Sequence, residues 1–115
     1  MNHRIQVGHN RWIGESEEPY VIAEIGINHN GSFDLCKQMI AEANHTGVDA
    51  VKMQKRTIDE MYTKDALDVI YNKSYAFGKT YGEHKHALEF SDEQYINLQK
   101  YAHSLGMEFL VSGFD

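Results

Sequence analysis

The chain has 115 residues, with 11 Lys and Arg, 17 Asp and Glu and seven His, for a formal charge of −6. Apolar residues at 42% and charged residues at 24% describe a folded chain rather than a disordered one. No apolar run approaches the roughly 18 residues of a membrane-spanning helix, and no basic stripe is present to neutralise nucleic-acid phosphates. Neither a membrane nor nucleic acid is therefore an expected partner.

The opening Arg4-Ile5-Gln6-Val7 alternates, turns through Gly8-His9-Asn10 and resumes at Arg11-Trp12-Ile13, the pattern of a short β-hairpin. Tyr20 to Ile25 follows as a nearly continuous apolar run of the kind buried parallel strands show. It runs into the turn-rich Gly26-Ile27-Asn28-His29-Asn30-Gly31. Ser32 can cap a helix to about His45, with Leu35, Met39, Ile40 and Ala43 on one face, and Gly47 is placed to close it. Val48 to Gln54 is a second strand.

Residues 55–90 form a long connection, with one helix-like piece at Ile58 to Ile70 and then a polar, aromatic stretch at Tyr71 to His86. Ser91 and Gln94 make a capping box, and Phe90 can pack on Tyr95 as a hydrophobic staple. Leu98, Tyr101, Ala102 and Leu105 continue that helix, Gly106 ends it, and Met107 to Val111 is a third strand.

Strand, helix, strand, long loop, helix, strand implies parallel strands joined by right-handed crossovers. A doubly wound sheet and a (β/α)8 barrel both fit, with residues 1–18 as a hairpin and 19–115 as strands 1 to 3 with their helices. A barrel takes about 250 residues, so the chain reads as the first part of something larger. MNHRIQVGHNR has no apolar core of a secretion signal, and the lone Cys36 rules out an internal disulfide. Both suit a cytoplasmic protein, with Cys36 as a packing residue inside the first helix.

Function in such folds collects at the carboxyl ends of the strands. Alternation puts Ile22 and Glu24 on one face, Val48, Ala50, Lys52 and Gln54 on another, and Leu110 and Ser112 on a third. Each set starts apolar and ends polar. If the three faces coincide, a carboxylate, an ammonium, an amide and a hydroxyl converge on one mouth.

Gly26 to Gly31 is either a plain βα turn or an anion-binding loop ahead of a helix N-terminus. It lacks the middle glycine of the dinucleotide fingerprint. His84-Lys85-His86 is expected to be a solvated surface tract rather than a metal site.

Ala23-Glu24-Ile25-Gly26-Ile27-Asn28-His29-Asn30-Gly31, Gly47-Val48-Asp49-Ala50-Val51-Lys52-Met53-Gln54, Gly78-Lys79-Thr80-Tyr81-Gly82-Glu83-His84-Lys85 and Leu88-Glu89-Phe90-Ser91 together resemble the sialic acid synthases. The closing Ser112-Gly113-Phe114-Asp115 departs from the bacterial Ser-Thr-Pro-Phe and resembles the animal-type branch, which acts on the phosphorylated sugar.

The resemblance implies an α/β fold, the first three β/α units of a (β/α)8 barrel after a short N-terminal β-hairpin. It also implies condensation of phosphoenolpyruvate with an N-acylated mannosamine or its 6-phosphate. Carried over by position, Glu24 handles a proton or places water, while Lys52, Gln54 and Ser112 hold phosphoenolpyruvate. Asn28 and His29 approach the sugar, with Tyr81 and Glu83 more distant candidates. The implied divalent cation, Mn2+ or Mg2+, takes its ligands from later strands and none from this chain. A homodimer and a C-terminal domain resembling antifreeze proteins are implied for the full length, and the chain alone is expected to be inactive.

Two further readings stay open: a class I aldolase with Lys52 as Schiff-base nucleophile, and a non-catalytic assembly module joined through unpaired strand edges.

Overall fold

The computed structural model of the chain describes residues 3–114; Met1, Asn2 and Asp115, at the ends of the expected hairpin region and of the closing motif, lie outside them. Strands β1 (Arg4–Val7) and β2 (Arg11–Gly14) pair antiparallel, with Ile5 opposite Ile13. Strands β3 (Ile22–Gly26), β4 (Ala50–Arg56) and β5 (Glu108–Phe114) form a parallel sheet in the order β3-β4-β5. Its register sets Glu24 against Lys52, Lys52 against Leu110, and Gln54 against Ser112. Strands β4 and β5 run past the expected ends because Lys55 pairs with Gly113 and Arg56 with Phe114; the charged Lys55 and Arg56 and the glycine are residues that apolar patterning alone leaves outside a strand.

Helix α1 (Phe33–His45) starts at Ser32, whose hydroxyl accepts from the Leu35 amide, and Gly47 follows its end at φ +81°. Its buried face is centred on Cys36 and Ile40, four residues apart and both fully buried. Leu35, expected on that face, is instead 37% exposed. Cys36 packs as expected, with Sγ 3.5 Å from Met53 Sδ, and burial pushes its thiol up to about 12.

Helix α5 (Asp92–Ser104) carries the expected capping box of Ser91 and Gln94, and the Phe90 and Tyr95 rings lie 5.9 Å apart. Together α1 and α5 cover one face of the parallel sheet through Ile25, Val51, Met53, Leu98 and Ala102. The radius of gyration, 17.1 Å, exceeds the roughly 13 Å of a compact domain of about 100 residues.

The connection after β4 differs from expectation. The piece from Ile58 to Ile70 is two single helical turns, α2 (Ile58–Met61) and α3 (Lys64–Leu67), separated where Tyr62 and Thr63 are extended. Residues 71–86 are not irregular throughout, because α4 (Tyr81–Leu88) occupies the second half. Thr80 and Glu83 close a capping box on it, a threonine-to-glutamate spacing of three that the sequence displays. An isolated antiparallel bridge between Ile70 and Thr80 ties off residues 71–79 as an excursion.

The tract His84-Lys85-His86 divides accordingly. His84 is buried rather than solvated, at 7% exposure, and its Nδ1 accepts from the Phe77 amide. His86 stays exposed beside Asp59, at 2.9 Å. Helical geometry turns the two rings to different sides. Among the described residues no helix is long and apolar enough to cross a membrane.

Candidate functional site

The three polar strand ends share one face. With Val51 and Met53 turned into the helix layer at zero exposure, the pleat directs Lys52 and Gln54 the other way. Glu24 joins them from β3 and Ser112 from β5, through the register already described. Lys52 Nζ lies 3.2 Å from Glu24 Oε2, the side chains being 38% and 45% exposed. An ion pair so open to water contributes about 1 kcal/mol or less, so either partner can exchange it for a ligand at low cost.

Gly26, at φ +57°, stands next to this pair. A Cβ there would lie 3.7 Å from Gln54 Nε2 and 3.8 Å from Glu24 Oε1. The carboxylate and the amide are thus neighbours across the end of β3.

Arg56 was not singled out by sequence, yet two residues beyond Gln54 it shares the parity of Lys52 and Gln54. Its Nη2 donates to Gln54 Oε1 at 2.7 Å, and its guanidinium lies 5.1 Å from the Phe114 ring centre. Two cations therefore accompany one carboxylate on this face, a balance that favours an anionic ligand. Extending the alternation of β4 by one step would have found Arg56.

Glu89 was missed as well, and it fixes the end of β4 from beneath. Its Oε2 accepts from the Arg56 amide at 2.9 Å, and its Oε1 from the Phe90 amide at 3.2 Å. Lys55 Nζ, turned away from the open face, lies 3.3 Å from Asp92 and 3.9 Å from Glu89. Glu89 lies 33 positions from Arg56 in sequence, and no local spacing signals the contact.

The loop after β3 makes consecutive tight turns, in which Asn28, Asn30 and Ser32 amides donate to the Ile25, Ile27 and His29 carbonyls. Asn28 is exposed, and its Nδ2 donates to the Ile25 carbonyl at 2.9 Å, leaving Oδ1 outward. His29, expected near the sugar, does not reach the open face. It is fully buried, stacked on Phe90 with centroids 4.2 Å apart, and its Nδ1 accepts from the Gly31 amide. Burial lowers its pKa, an effect that Glu89 partly opposes. An imidazole can stack on a neighbouring aromatic at no charge cost when neutral, and that packing decides its position here.

Tyr81 opens α4 and packs edge-on against Tyr62 and Tyr71, each 5.4 Å away. Glu83 is engaged by the Lys79 and Thr80 amides at the helix start. Among the described residues no three His, Cys, Asp or Glu come together as a metal site.

The NeuB family profile matches residues 39–115. The chain is 45% identical over 105 residues to the N-acetylneuraminate-9-phosphate synthase of Homo sapiens, covering 91% of this chain and 29% of that protein. It is 40% identical over 103 residues to the N,N'-diacetyllegionaminic acid synthase of Legionella pneumophila, covering 89% of this chain and 29% of that protein. The crystal structure of the N-acetylneuraminic acid synthetase of Leptospira borgpetersenii superposes with a TM-score of 0.74 at 26% identity, covering 100% of this chain and 35% of that one. The chain thus spans 29% of the length of these curated relatives.

Proposed function

Because the chain belongs to the NeuB family, we propose that it forms the first three β/α units of a (β/α)8 barrel in a sialic-acid-type synthase. The whole protein condenses phosphoenolpyruvate with an N-acylated mannosamine or its 6-phosphate, giving a nonulosonic acid and phosphate. The observation that carries this reading is the common face of Glu24, Lys52, Gln54 and Ser112 on three parallel strands.

Lys52 leaves Glu24 to meet the carboxylate or phosphate of the donor, with the Gln54 amide and the Ser112 hydroxyl completing the contact. A charge-assisted contact of this kind contributes about 1.5–3 kcal/mol, more than the exposed ion pair it replaces. The donor's methylene carbon bonds to the aldehyde carbon of the open-chain sugar as its C=O π bond opens, and the former aldehyde oxygen takes up a proton to become a hydroxyl. Water then adds to the resulting oxocarbenium carbon, and the C–O bond to phosphate breaks. Glu24, released from Lys52, takes the proton of that water. Asn28 offers its outward Oδ1 to the sugar, while His29 holds the loop and Tyr81 the wall behind it.

The divalent cation of the family is not assigned to the described residues, since no ligand set among them fits it. No step is routed through it. The whole protein is read as a cytoplasmic homodimer, and a reducing compartment suits the lone buried thiol of Cys36.

Lys52 as an aldolase nucleophile is the weaker reading. Schiff-base lysines are desolvated or set beside another cation, whereas Lys52 is 38% exposed and faces a carboxylate. The assembly-module reading has one supporting feature, the single-partner edges of β3 and β5 among the described residues.

Titration of the 115-residue chain with phosphoenolpyruvate, followed by amide NMR, tests the proposal. Shifts at Lys52, Gln54 and Ser112 support it, and shifts confined elsewhere sink it. A borohydride-trapped pyruvate adduct on Lys52 would instead establish the aldolase.

A further inference from the structure

Gln54 stands between two cations of its own strand. Lys52 and Arg56 flank it one pleat repeat to either side, and all three face the open side of the sheet. The backbone that carries them is pinned from the helix layer. The Arg56 amide donates to Glu89 Oε2 at 2.9 Å, and the Tyr95 hydroxyl donates to the Gln54 carbonyl. What this leaves open is the turn of the Gln54 side-chain amide. It can present either its carbonyl or its NH2 towards Lys52 and Glu24, and the two ends have opposite hydrogen-bonding chemistry.

Arg56 decides between them. A guanidinium carries five N–H donors and no acceptor, so only the carbonyl end of an amide can face it. Arg56 Nη2 donates to Gln54 Oε1 at 2.7 Å. The guanidinium is itself kept in place by the Phe114 ring, whose centre is 5.1 Å away, and Phe114 is the residue that pairs with Arg56 across β4 and β5. Gln54 Nε2 is thereby turned towards Gly26, the side on which Glu24 Oε1 also lies.

Without Arg56 the preference would reverse. Lys52 would be the one remaining cation of β4 on this face, and it would draw the Gln54 carbonyl towards itself. An incoming anion would then meet an oxygen where it now meets an N–H, and Lys52 would be partly engaged before the anion arrived.

We infer that Arg56 is a positioning residue: it holds the Gln54 amide with its NH2 towards Lys52, so that an ammonium and an amide N–H converge on one carboxylate or phosphate of the donor. The Glu24 carboxylate, 3.2 Å from Lys52 Nζ, marks the place such an anion takes. Arg56 acts through Gln54 rather than by touching the donor. This inference rests on the proposed synthase reading for its ligand, while the orientation of the amide is a property of the free chain.

A double-variant cycle with phosphoenolpyruvate, read by titration calorimetry on the 115-residue chain, separates this role from plain charge attraction. Arg56→Met is expected to weaken binding about tenfold, the scale of one hydrogen bond to a charged group. In a Gln54→Met background the same change should weaken it no more than about twofold, because no amide remains to be turned. Arg56→Lys keeps the charge and one donor for Oε1, and should recover most of the loss. The Gln54 side-chain NH2 signals in the NMR spectrum give a readout that needs no ligand: they should move in Arg56→Met and return towards their original positions in Arg56→Lys. Equal weakening by Arg56→Met in both backgrounds would mean that the cation acts by its charge alone, and would overturn the inference while leaving the donor reading standing. Side-chain NH2 signals indifferent to Arg56 would overturn it as well. Failure of phosphoenolpyruvate to bind the unaltered chain would instead remove the donor reading, and the positioning of Gln54 would then stand or fall on its NH2 signals.

Discussion

The Tyr95 hydroxyl lies 2.7 Å from Glu89 Oε1, and its single proton is shared with a second acceptor, the Gln54 carbonyl, at 2.9 Å. Burial, and then the Glu89 carboxylate, push ionisation of this phenol far above its ordinary range. The contact joins the first turn of α5 to the end of β4, where Gln54 and Arg56 face the open side of the sheet. Tyr95→Phe keeps the ring against Phe90 and removes only the shared proton. It is expected to cost about 2 kcal/mol, in the range for a hydrogen bond to a charged group, read as a lower urea midpoint at unchanged slope.

Lys52 and Glu24 should respond oppositely to neutralisation. Lys52→Met removes a charged contact and should weaken phosphoenolpyruvate binding about tenfold to a hundredfold, from roughly 1.5–3 kcal/mol. Glu24→Gln removes the competitor at 3.2 Å and should leave binding unchanged or tighten it up to about fivefold, the worth of an exposed ion pair. Titration calorimetry or NMR distinguishes them. A loss of donor binding in Glu24→Gln would contradict the exchange of partners proposed for Lys52.

Two glycines in the left-handed region should differ sharply on replacement. A Cβ on Gly31, at φ +77°, would stand 2.1 Å from the Ala87 carbonyl oxygen, whereas one on Gly47, at φ +81°, meets nothing within 4 Å. Gly47→Ala should cost only the left-handed strain, about 1–2 kcal/mol. Gly31→Ala should cost more, because the loop must also move off α4. Chemical denaturation of the two variants measures the difference, and equal losses would mean that loop and helix yield freely.

Acid should destabilise the fold through His29 and His84. Both have folded-state pKa values below the ordinary value of about 6.5, so the unfolded chain binds more protons as pH falls. Their contribution is complete above about pH 6.5 and is lost as pH drops from there through the lowered folded-state values. The urea midpoint should accordingly fall between pH 7 and pH 5. In a His29→Phe, His84→Phe double variant, whose baseline stability is lower because two amides lose an acceptor, the midpoint should change less with pH. An unaltered pH slope in that variant would assign the acid sensitivity to other groups.

Much of this architecture was written locally. Ser32, Ser91 and Gln94 mark the helix starts, Gly47 and Gly106 their ends, and the alternation of Glu24, Lys52, Gln54 and Ser112 already placed each polar group on a definite side of its own strand. Such signals depend on residues within a few positions of one another, which is why they can be read without a fold. The Thr80 and Glu83 box that begins α4 is just as local, although the stretch around it is polar and aromatic rather than periodic.

Tertiary structure alone decided the rest. Strand register put Glu24 beside Lys52 rather than one pleat away, and the contact of Glu89 with Arg56 crosses 33 positions of chain. His29 carries a polar side chain, yet Phe90, an aromatic partner distant in sequence, buries it, and the chain's return between Tyr71 and Phe77 buries His84. Hydrophobic packing is blind to chain distance, so which residues become neighbours across a connection is settled when the helix layer closes on the sheet.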